Sequence, residues 1–204
     1  MNYLAHVALS GSNSEHQVGG LLGDLGRGPL RGEYSAAIEV GIDAHRKLDV
    51  YVDRQPEMHR FVRRFDRPMR RYAGIVGDIV YDHLLSANWL RYYPQSLEEF
   101  CQEFYGDLSR HRNVLPRRAQ EFLHLAPKVK WLQSYSDYSN LPLILSRVGS
   151  RFKKPVALQD ALPIFAKYRA EISSDFHRLY PRLQDFMHSA LDQTKLNSPR
   201  RLLT

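Results

Sequence analysis

Apolar residues recur at steps of three and four along almost the whole chain, whereas strict alternation of apolar and polar residues is rare. This spacing is the period of an amphipathic α-helix and leaves little sequence from which β-strands could form. The strongest apolar stripe consists of Ile172, Phe176, Leu179, Leu183, Phe186 and Ala190. Pro181 lies within it and predicts a kink or a break. We therefore expect one all-α domain over residues 1–191, followed by a polar, frayed tail over residues 192–204.

The composition is typical of a folded protein with an acidic partner. The 204 residues include 29 Lys+Arg and 22 Asp+Glu, a formal net charge of +7, and 43% are hydrophobic. The single cysteine, Cys101, excludes an internal disulfide and any zinc site built from several thiols. The sequence shows no apolar run of membrane-spanning length and no signal peptide, so we expect a cytoplasmic protein. The charge alone does not distinguish nucleic acid, lipid or protein as the partner.

Two of the predicted helices carry ionisable side chains on faces that should be buried. His45 and Asp49, four residues apart, extend the apolar stripe of one helix. Asp82 extends the stripe of another, with His83 directly after it. Buried carboxylates are costly unless a cation neutralises them, and imidazole and carboxylate donors without a thiol suit Mn²⁺, Mg²⁺ or Fe²⁺. The alternative is that each pair is a core histidine oriented by a neighbouring aspartate.

A glycine-rich segment over residues 19–28 contains five glycines, together with Asp24 and Arg27. Glycine is a poor residue for a helix interior, so this density predicts a close backbone approach or a turn near a ligand. The segment is not a P-loop, because it lacks the Gly-Lys-Ser/Thr end and a preceding strand. A flexible helix end is the competing interpretation.

Four short blocks of sequence resemble the acyl carrier protein phosphodiesterases. In chain order they cover residues 2–6, 20–24, 41–49 and 78–86, and read NYLAH, GLLGD, GIDAHRKLD and DIVYDHLLS. Further agreement near the end brings the similarity to roughly residues 1–190. The resemblance implies removal of the 4′-phosphopantetheine arm from holo-acyl carrier protein with a divalent cation, typically Mn²⁺. It also implies a helical bundle distantly related to the HD phosphohydrolases.

The same resemblance implies a set of site residues. The metal ligands it suggests are Asp24, His45, Asp82 and His83. His6 and Asp49 also match and are further ligands or orienting residues. The catalytic candidates are Asp24, Asp49 and His6, with Asp49 or Asp24 accepting a proton from the attacking water. The order Asp82–His83 is the reverse of the usual HD pair, so the assignment of each ligand position stays open.

Arginines supply the candidate substrate-binding residues. Arg46 or Arg27 would hold phosphate oxygens. Residues 60–71 contain six arginines and one acid, Asp66. The six arginines, which we call the basic run, are Arg60, Arg63, Arg64, Arg67, Arg70 and Arg71. Such a run would steer the acidic holo-acyl carrier protein toward the site. A solvated basic face without a partner is the alternative.

Two other functions compete with this interpretation. An HD-type phosphohydrolase acting on a nucleotide or alarmone would use similar metal chemistry on a small substrate. A non-enzymatic nucleic-acid-binding protein would use the positive charge for phosphate contacts. The sequence lacks a helix-turn-helix or an aromatic RNA-binding pattern, and this function would leave the inward His and Asp residues unexplained. We therefore expect neither a nucleic-acid partner nor a membrane partner.

Overall fold

The computed structural model describes residues 2–26 and 32–197, with side chains described up to Asp192. Within these ranges the chain forms ten α-helices and no β-strand, which confirms the predicted all-α domain. The helices are α1 (Tyr3–Leu9), α2 (Ser14–Leu25), α3 (Ala36–Asp53), α4 (Pro56–Arg63), α5 (Ala73–Ala87), α6 (Leu97–Arg110), α7 (Arg117–Leu125), α8 (Leu141–Gly149), α9 (Leu162–Lys167) and α10 (Arg169–Asn197). Short 3₁₀ turns connect several of them.

Side-chain caps fix the start of three of these helices. Asn13 accepts backbone N–H bonds at the start of α2, and Ser35 does so for α3. Ser96 and Glu99 form a reciprocal capping box on α6. These caps satisfy N–H groups that a helix leaves unpaired at its first turn, so the helix boundaries follow directly from local sequence.

The last helix, α10, continues through Pro181 without interruption. The sequence predicts a kink or a break at this proline, and the prediction of a break is wrong. Proline removes one backbone hydrogen bond, but the apolar face on both sides of it is fully buried, including Phe176, Leu179 and Leu183. Burial of that face stabilises the helix across the missing bond. Helix α10 reaches Asn197, and residues 198–204 of the predicted tail lie outside the described residues.

Helices α2 and α3 form the most extensive helix pair of the fold. A Cβ atom at Gly19 would lie 2.2 Å from the Ile38 carbonyl oxygen, and one at Gly41 would lie 2.3 Å from the His16 carbonyl oxygen. Both distances are well below a van der Waals contact, so glycine is required at this crossing. The close backbone approach predicted from the glycine-rich segment is confirmed, within a regular helix.

One hydrophobic core runs through the domain and includes residues from all ten helices. The inward stripes predicted for α3 and α5 are buried at Ile38, Ile42, Ile79 and Asp82. None of the helices in the described part of the chain is long and apolar enough to cross a membrane.

Candidate metal centre

Helices α1 and α3 bring together two histidines and one aspartate. Asp49 bridges the pair: its Oδ1 lies 3.1 Å from His6 Nε2, and its Oδ2 lies 3.3 Å from His45 Nε2. The two imidazole rings stack with centroids 3.7 Å apart. Both rings are buried, whereas the Asp49 side chain is 47% exposed, so the group opens to solvent on its carboxylate side.

Glycines in α2 make room for this arrangement. A Cβ at Gly23 would lie 2.2 Å from the His45 ring, inside the volume that the ring fills. A Cβ at Gly20 would lie 2.9 Å from the His6 carbonyl oxygen and closer still to the Ser10 hydroxyl. Larger residues at these positions would push α1 and the His45 ring away from α2, and the two rings could no longer stack as they do. The glycine-rich segment therefore shapes the site through packing.

The backbone of α2 also orients His45. Its Nδ1 lies 2.8 Å from the Gly20 carbonyl oxygen, which can only accept a hydrogen bond. Nδ1 therefore carries a proton and donates, and Nε2 is turned toward Asp49 and toward Asp24, whose Oδ1 is 3.9 Å away. A backbone carbonyl on one ring nitrogen is the usual arrangement that directs the other nitrogen of a histidine to a metal.

Burial and proximity shift the pKa values of these groups in different directions. Burial lowers the pKa of His6 to about 3, which keeps the imidazole neutral. Burial raises the pKa of Asp24 to about 6, although the nearby His45 opposes the shift. Burial also acts to raise the pKa of Asp49, but hydrogen bonds from His45 and His6 outweigh it and hold this pKa well below its usual range. Asp49 is thus the permanent anion of the group.

His6, His45 and Asp49 fit a metal ion by geometry and by donor type. One ligand atom from each of the three lies within 4.8 Å of the others. With metal–ligand bonds of about 2.1 Å, neighbouring ligands lie about 3.0 to 3.4 Å apart. The separations from Asp49 to the two Nε2 atoms, 3.1 and 3.3 Å, lie in that range. Imidazole and carboxylate donors accept several divalent ions, so the donor set indicates a cation without identifying it.

Asp24 lies at the edge of this group, and its side chain is 32% exposed. It follows the α2 glycines that contact both histidines, and it acts electrostatically on His45 and Asp49. The structure therefore brings together four of the residues that the family resemblance suggests, namely Asp24, His6, His45 and Asp49.

Asp82 is buried as predicted, but its carboxylate serves the start of α1. It accepts backbone N–H bonds from Leu4 at 2.9 Å, Ala5 at 3.2 Å and Asn2 at 3.3 Å. These are the unpaired donors of the first helical turn, which Asn2 does not cap with its own side chain. Asp82 thereby fixes the helix that carries His6, and it does not belong to the group whose atoms could share a metal ion.

His83, the next residue, contacts a different part of the fold. Its Nδ1 lies 2.8 Å from the Tyr135 carbonyl oxygen, and its ring packs edge-on against Tyr138 and Phe165. Successive residues of a helix point about 100° apart, so the side chains of Asp82 and His83 contact different parts of the fold. Burial lowers the pKa of His83 and favours its neutral form.

The basic run divides into two kinds of arginine. Arg60 and Arg64 bind the buried carboxylate of Asp175, with N–O distances of 2.7 and 3.2 Å. Arg178 also contacts Asp175. Arg60 is 44% exposed despite its ion pair with Asp175, and four other members of the run are exposed on the surface, namely Arg63, Arg67, Arg70 and Arg71.

Asp175 was not identified from the sequence as a partner of these arginines. A signal was available, because Asp175 lies three residues after Ile172 and four before Leu179, on the inward stripe of α10. Of the two arginines expected to hold phosphate, Arg46 is exposed on α3 beside His45, and Arg27 lies outside the described residues.

The comparisons with known proteins agree on one family. The family model described as acyl carrier protein phosphodiesterase matches residues 1–183. A Serratia proteamaculans protein with that name is 30% identical over 184 residues, covering 90% of this chain and 95% of the relative. One from Yersinia enterocolitica is 31% identical over 185 residues, with the same two coverages. One from Photorhabdus laumondii is 30% identical over 186 residues, covering 91% of this chain and 94% of the relative.

No solved structure matches this chain, so the resemblance to an HD-type bundle stays a prediction. The family assignment has independent support, because the family match and the relatives both extend over nearly all of the sequence. The chain belongs to the acyl carrier protein phosphodiesterase family.

Proposed function

We propose that this protein hydrolyses the phosphodiester between 4′-phosphopantetheine and the serine of holo-acyl carrier protein, with Mn²⁺ as the preferred cofactor. Family membership supports the reaction. The observation that carries the metal dependence is the bridging of His6 and His45 by Asp49. Two imidazoles, of which burial keeps His6 neutral, and one half-exposed carboxylate form a ligand set for a divalent ion, since the described residues bring no lysine or arginine salt bridge to Asp49.

His6, His45 and Asp49 would hold the cation. When bound, a divalent cation supplies Lewis acidity that activates water and offsets charge on the phosphoryl oxygens. Asp82 contributes by fixing the first turn of α1 and hence the position of His6. We leave Asp82 and His83 out of the ligand set, because the Asp82 carboxylate accepts backbone N–H bonds at the start of α1 and neither residue belongs to the group of side chains whose atoms could share a metal ion.

Asp24 is the best-placed proton acceptor. It lies beside His45, is partly open to solvent, and its pKa of about 6 suits a group that gains and loses a proton near neutral pH. In the proposed reaction a water oxygen forms a bond to phosphorus while the bond from phosphorus to the serine oxygen breaks. Asp24 takes the water proton, and that proton can return to the serine oxygen. The products are apo-carrier protein and 4′-phosphopantetheine.

The exposed arginines support an acidic protein as the substrate. Arg63, Arg67, Arg70 and Arg71 are available at the surface, whereas Arg60 and Arg64 are engaged by Asp175. Arg46 is exposed next to His45 in the sequence and is a candidate for holding a phosphate oxygen. Exposed positive charge increases the rate of encounter with an acidic partner and loses its effect at high salt.

The direct test is to incubate metal-free protein with holo-carrier protein, with and without Mn²⁺, and follow the carrier protein by mass spectrometry. We expect conversion to the apo mass with Mn²⁺ and none with EDTA. Conversion that proceeds at the same rate in EDTA would contradict the metal dependence. Hydrolysis of nucleotides without any conversion of the carrier protein would favour the competing phosphohydrolase function instead.

A further inference from the structure

A cavity of about 290 Å³ lies between the first turn of α1, helix α5, helix α8 and the segment 129–140. Its walls are mainly apolar and include Ile75, Ile79, Ile144 and Val148. The side chains of Leu143 and Val129 also line it, and each is about half exposed. None of the residues predicted from the sequence to bind substrate lines this cavity.

The cavity adjoins the candidate metal centre. Tyr3 and Asp78 both line it, and both interact electrostatically with Asp24. Tyr3 precedes His6 by three residues on α1, which corresponds to about 4.5 Å along a helix axis. One turn of α1 therefore separates the cavity wall from a proposed metal ligand.

The polar groups of the cavity are few, fixed and nearly balanced in charge. Arg147 and Arg151, four residues apart, face a cavity that also contains Asp78, so the net charge of the lining is +1. Asn2 donates from its side-chain amide to Tyr135 Oη at 2.6 Å, and Asn140 donates to the Ser134 carbonyl oxygen at 3.0 Å. These bonds hold both amides in place in the wall, where they can serve as hydrogen-bonding partners for a ligand.

These properties select one class of ligand. A polyanionic nucleotide would need more positive charge than one net unit, and a fatty chain would not use the fixed amides and arginines. A slender chain of amides and short alkyl groups, uncharged along its length and anionic at one end, matches both the apolar wall and the polar points. The volume is at the lower end of the range for ligand pockets, which suits a narrow chain.

We propose that this cavity binds the pantetheine chain of the substrate, with the phosphate end directed to the candidate metal centre. This inference rests on the proposed function and adds to it the site at which the arm is recognised. Under this proposal the protein recognises its substrate through the pantetheine arm as well as through the charged surface of the carrier protein.

The test measures binding of free pantetheine and 4′-phosphopantetheine by isothermal titration calorimetry, so that no turnover is needed. We expect both compounds to bind the full-length protein, and pantetheine, which lacks the phosphate, to bind equally well in EDTA. Ile144→Phe should weaken both by about tenfold or more because it narrows the cavity. Leu125→Phe, an exposed leucine on α7 that does not line the cavity, is the matched control and should leave binding unchanged.

A second readout separates a structural effect from loss of the site. With holo-carrier protein, Ile144→Phe should raise KM, while its melting temperature and Mn²⁺ affinity stay near those of the unmodified protein. Absence of pantetheine binding, or unchanged binding in Ile144→Phe, would overturn the proposal even if the carrier protein is hydrolysed. Binding of pantetheine without any hydrolysis would instead overturn the proposed function and leave the cavity assignment intact.

Discussion

Two groups of buried ionisable side chains differ in how their negative charge is compensated. At one, the Asp175 carboxylate is 3% exposed and is met by Arg60, Arg64 and Arg178. At the other, Asp49 is met by His6 and His45, of which His6 is kept neutral by burial. The arginines are permanent cations, so the first group is complete within the protein. The second group could hold a cation from solution, and we propose that this distinguishes a functional site from a structural cluster.

The pKa values of Asp175 and Asp49 are both held below the ordinary value, so the electrostatic difference between the two groups lies at Asp24. Burial acts to raise the pKa of Asp175, but hydrogen bonds from Arg60 and Arg64 hold that pKa below its ordinary value. Asp24, in the second group, has its pKa raised to about 6 by burial because no arginine or lysine salt bridge reaches it among the described residues. A group that lacks a fixed counter-charge binds protons or metal ions in its place.

The largest expected effect comes from removal of a ligand. His45→Ala should lower the rate of carrier-protein conversion by at least about a hundredfold, because the remaining two ligands cannot hold a metal tightly. The free energy of unfolding should also fall, by about 2 kcal/mol, because a buried ring and its hydrogen bond to the Gly20 carbonyl oxygen are lost. Initial rates and urea unfolding measure the two quantities. His59→Ala, on the exposed side of α4, is the control and should change neither.

The arginine cluster should give the opposite pattern. Asp175→Asn leaves three arginines without their shared anion, and loss of one partner of a buried ion pair costs about 3 kcal/mol in unfolding free energy. The rate per folded molecule should stay the same, since the cluster is complete without substrate. Urea unfolding with Asp185→Asn, an exposed aspartate on the same helix, provides the matched comparison. A large loss of rate at unchanged stability would give Asp175 a direct part in the reaction.

A third substitution tests the shape of the metal centre without removing a ligand. Gly23→Ala places a methyl group where the His45 ring lies, so the ring must move. We expect activity to fall by about tenfold and Mn²⁺ to bind more weakly, by analogy with loss of an orienting contact to a metal ligand. Gly106→Ala, at an open helical position, should keep full activity and gain up to about 1 kcal/mol of stability.

The smallest effect concerns the exposed part of the basic run. Arg67→Glu combined with Arg71→Glu should raise KM for the carrier protein several-fold at low salt and leave kcat unchanged. The difference from the unmodified protein should shrink as ionic strength rises, because the interaction is screened. Equal KM values at all salt concentrations would remove these arginines from the docking surface.

The spacing of residues along one helix predicted part of the candidate metal centre. His45 and Asp49 could be paired because they lie one turn apart on one predicted helix. His45 is buried as that stripe requires, but the prediction that Asp49 is buried too is wrong, because its carboxylate lies at the edge of the face and is 47% exposed. His6 came only from the family resemblance, since α1 is short and its approach to α3 depends on glycines in α2. Helix periodicity contains no information on which helices meet.

Asp82 is a second case in which helix periodicity predicted burial but not the contact partner. Its inward position followed from periodicity, but the N–H groups that it accepts lie 77 to 80 residues earlier in the chain. The pairing of Asp175 with Arg60 of α4 and with Arg64 after it is likewise long-range, as are the contacts that form the cavity between α1, α5 and α8. Such contacts are set by tertiary packing. The fold class could therefore be predicted from the sequence, but the contact partners of the charged residues could not.

We propose that the group formed by His6, His45 and Asp49 holds a divalent metal ion. Calorimetric titration of Mn²⁺ into metal-free protein measures this binding. We expect one binding event in the unmodified protein, its loss in His45→Ala, and its retention in Asp175→Asn. Absence of Mn²⁺ binding, or equal binding by the His45→Ala protein, would contradict it.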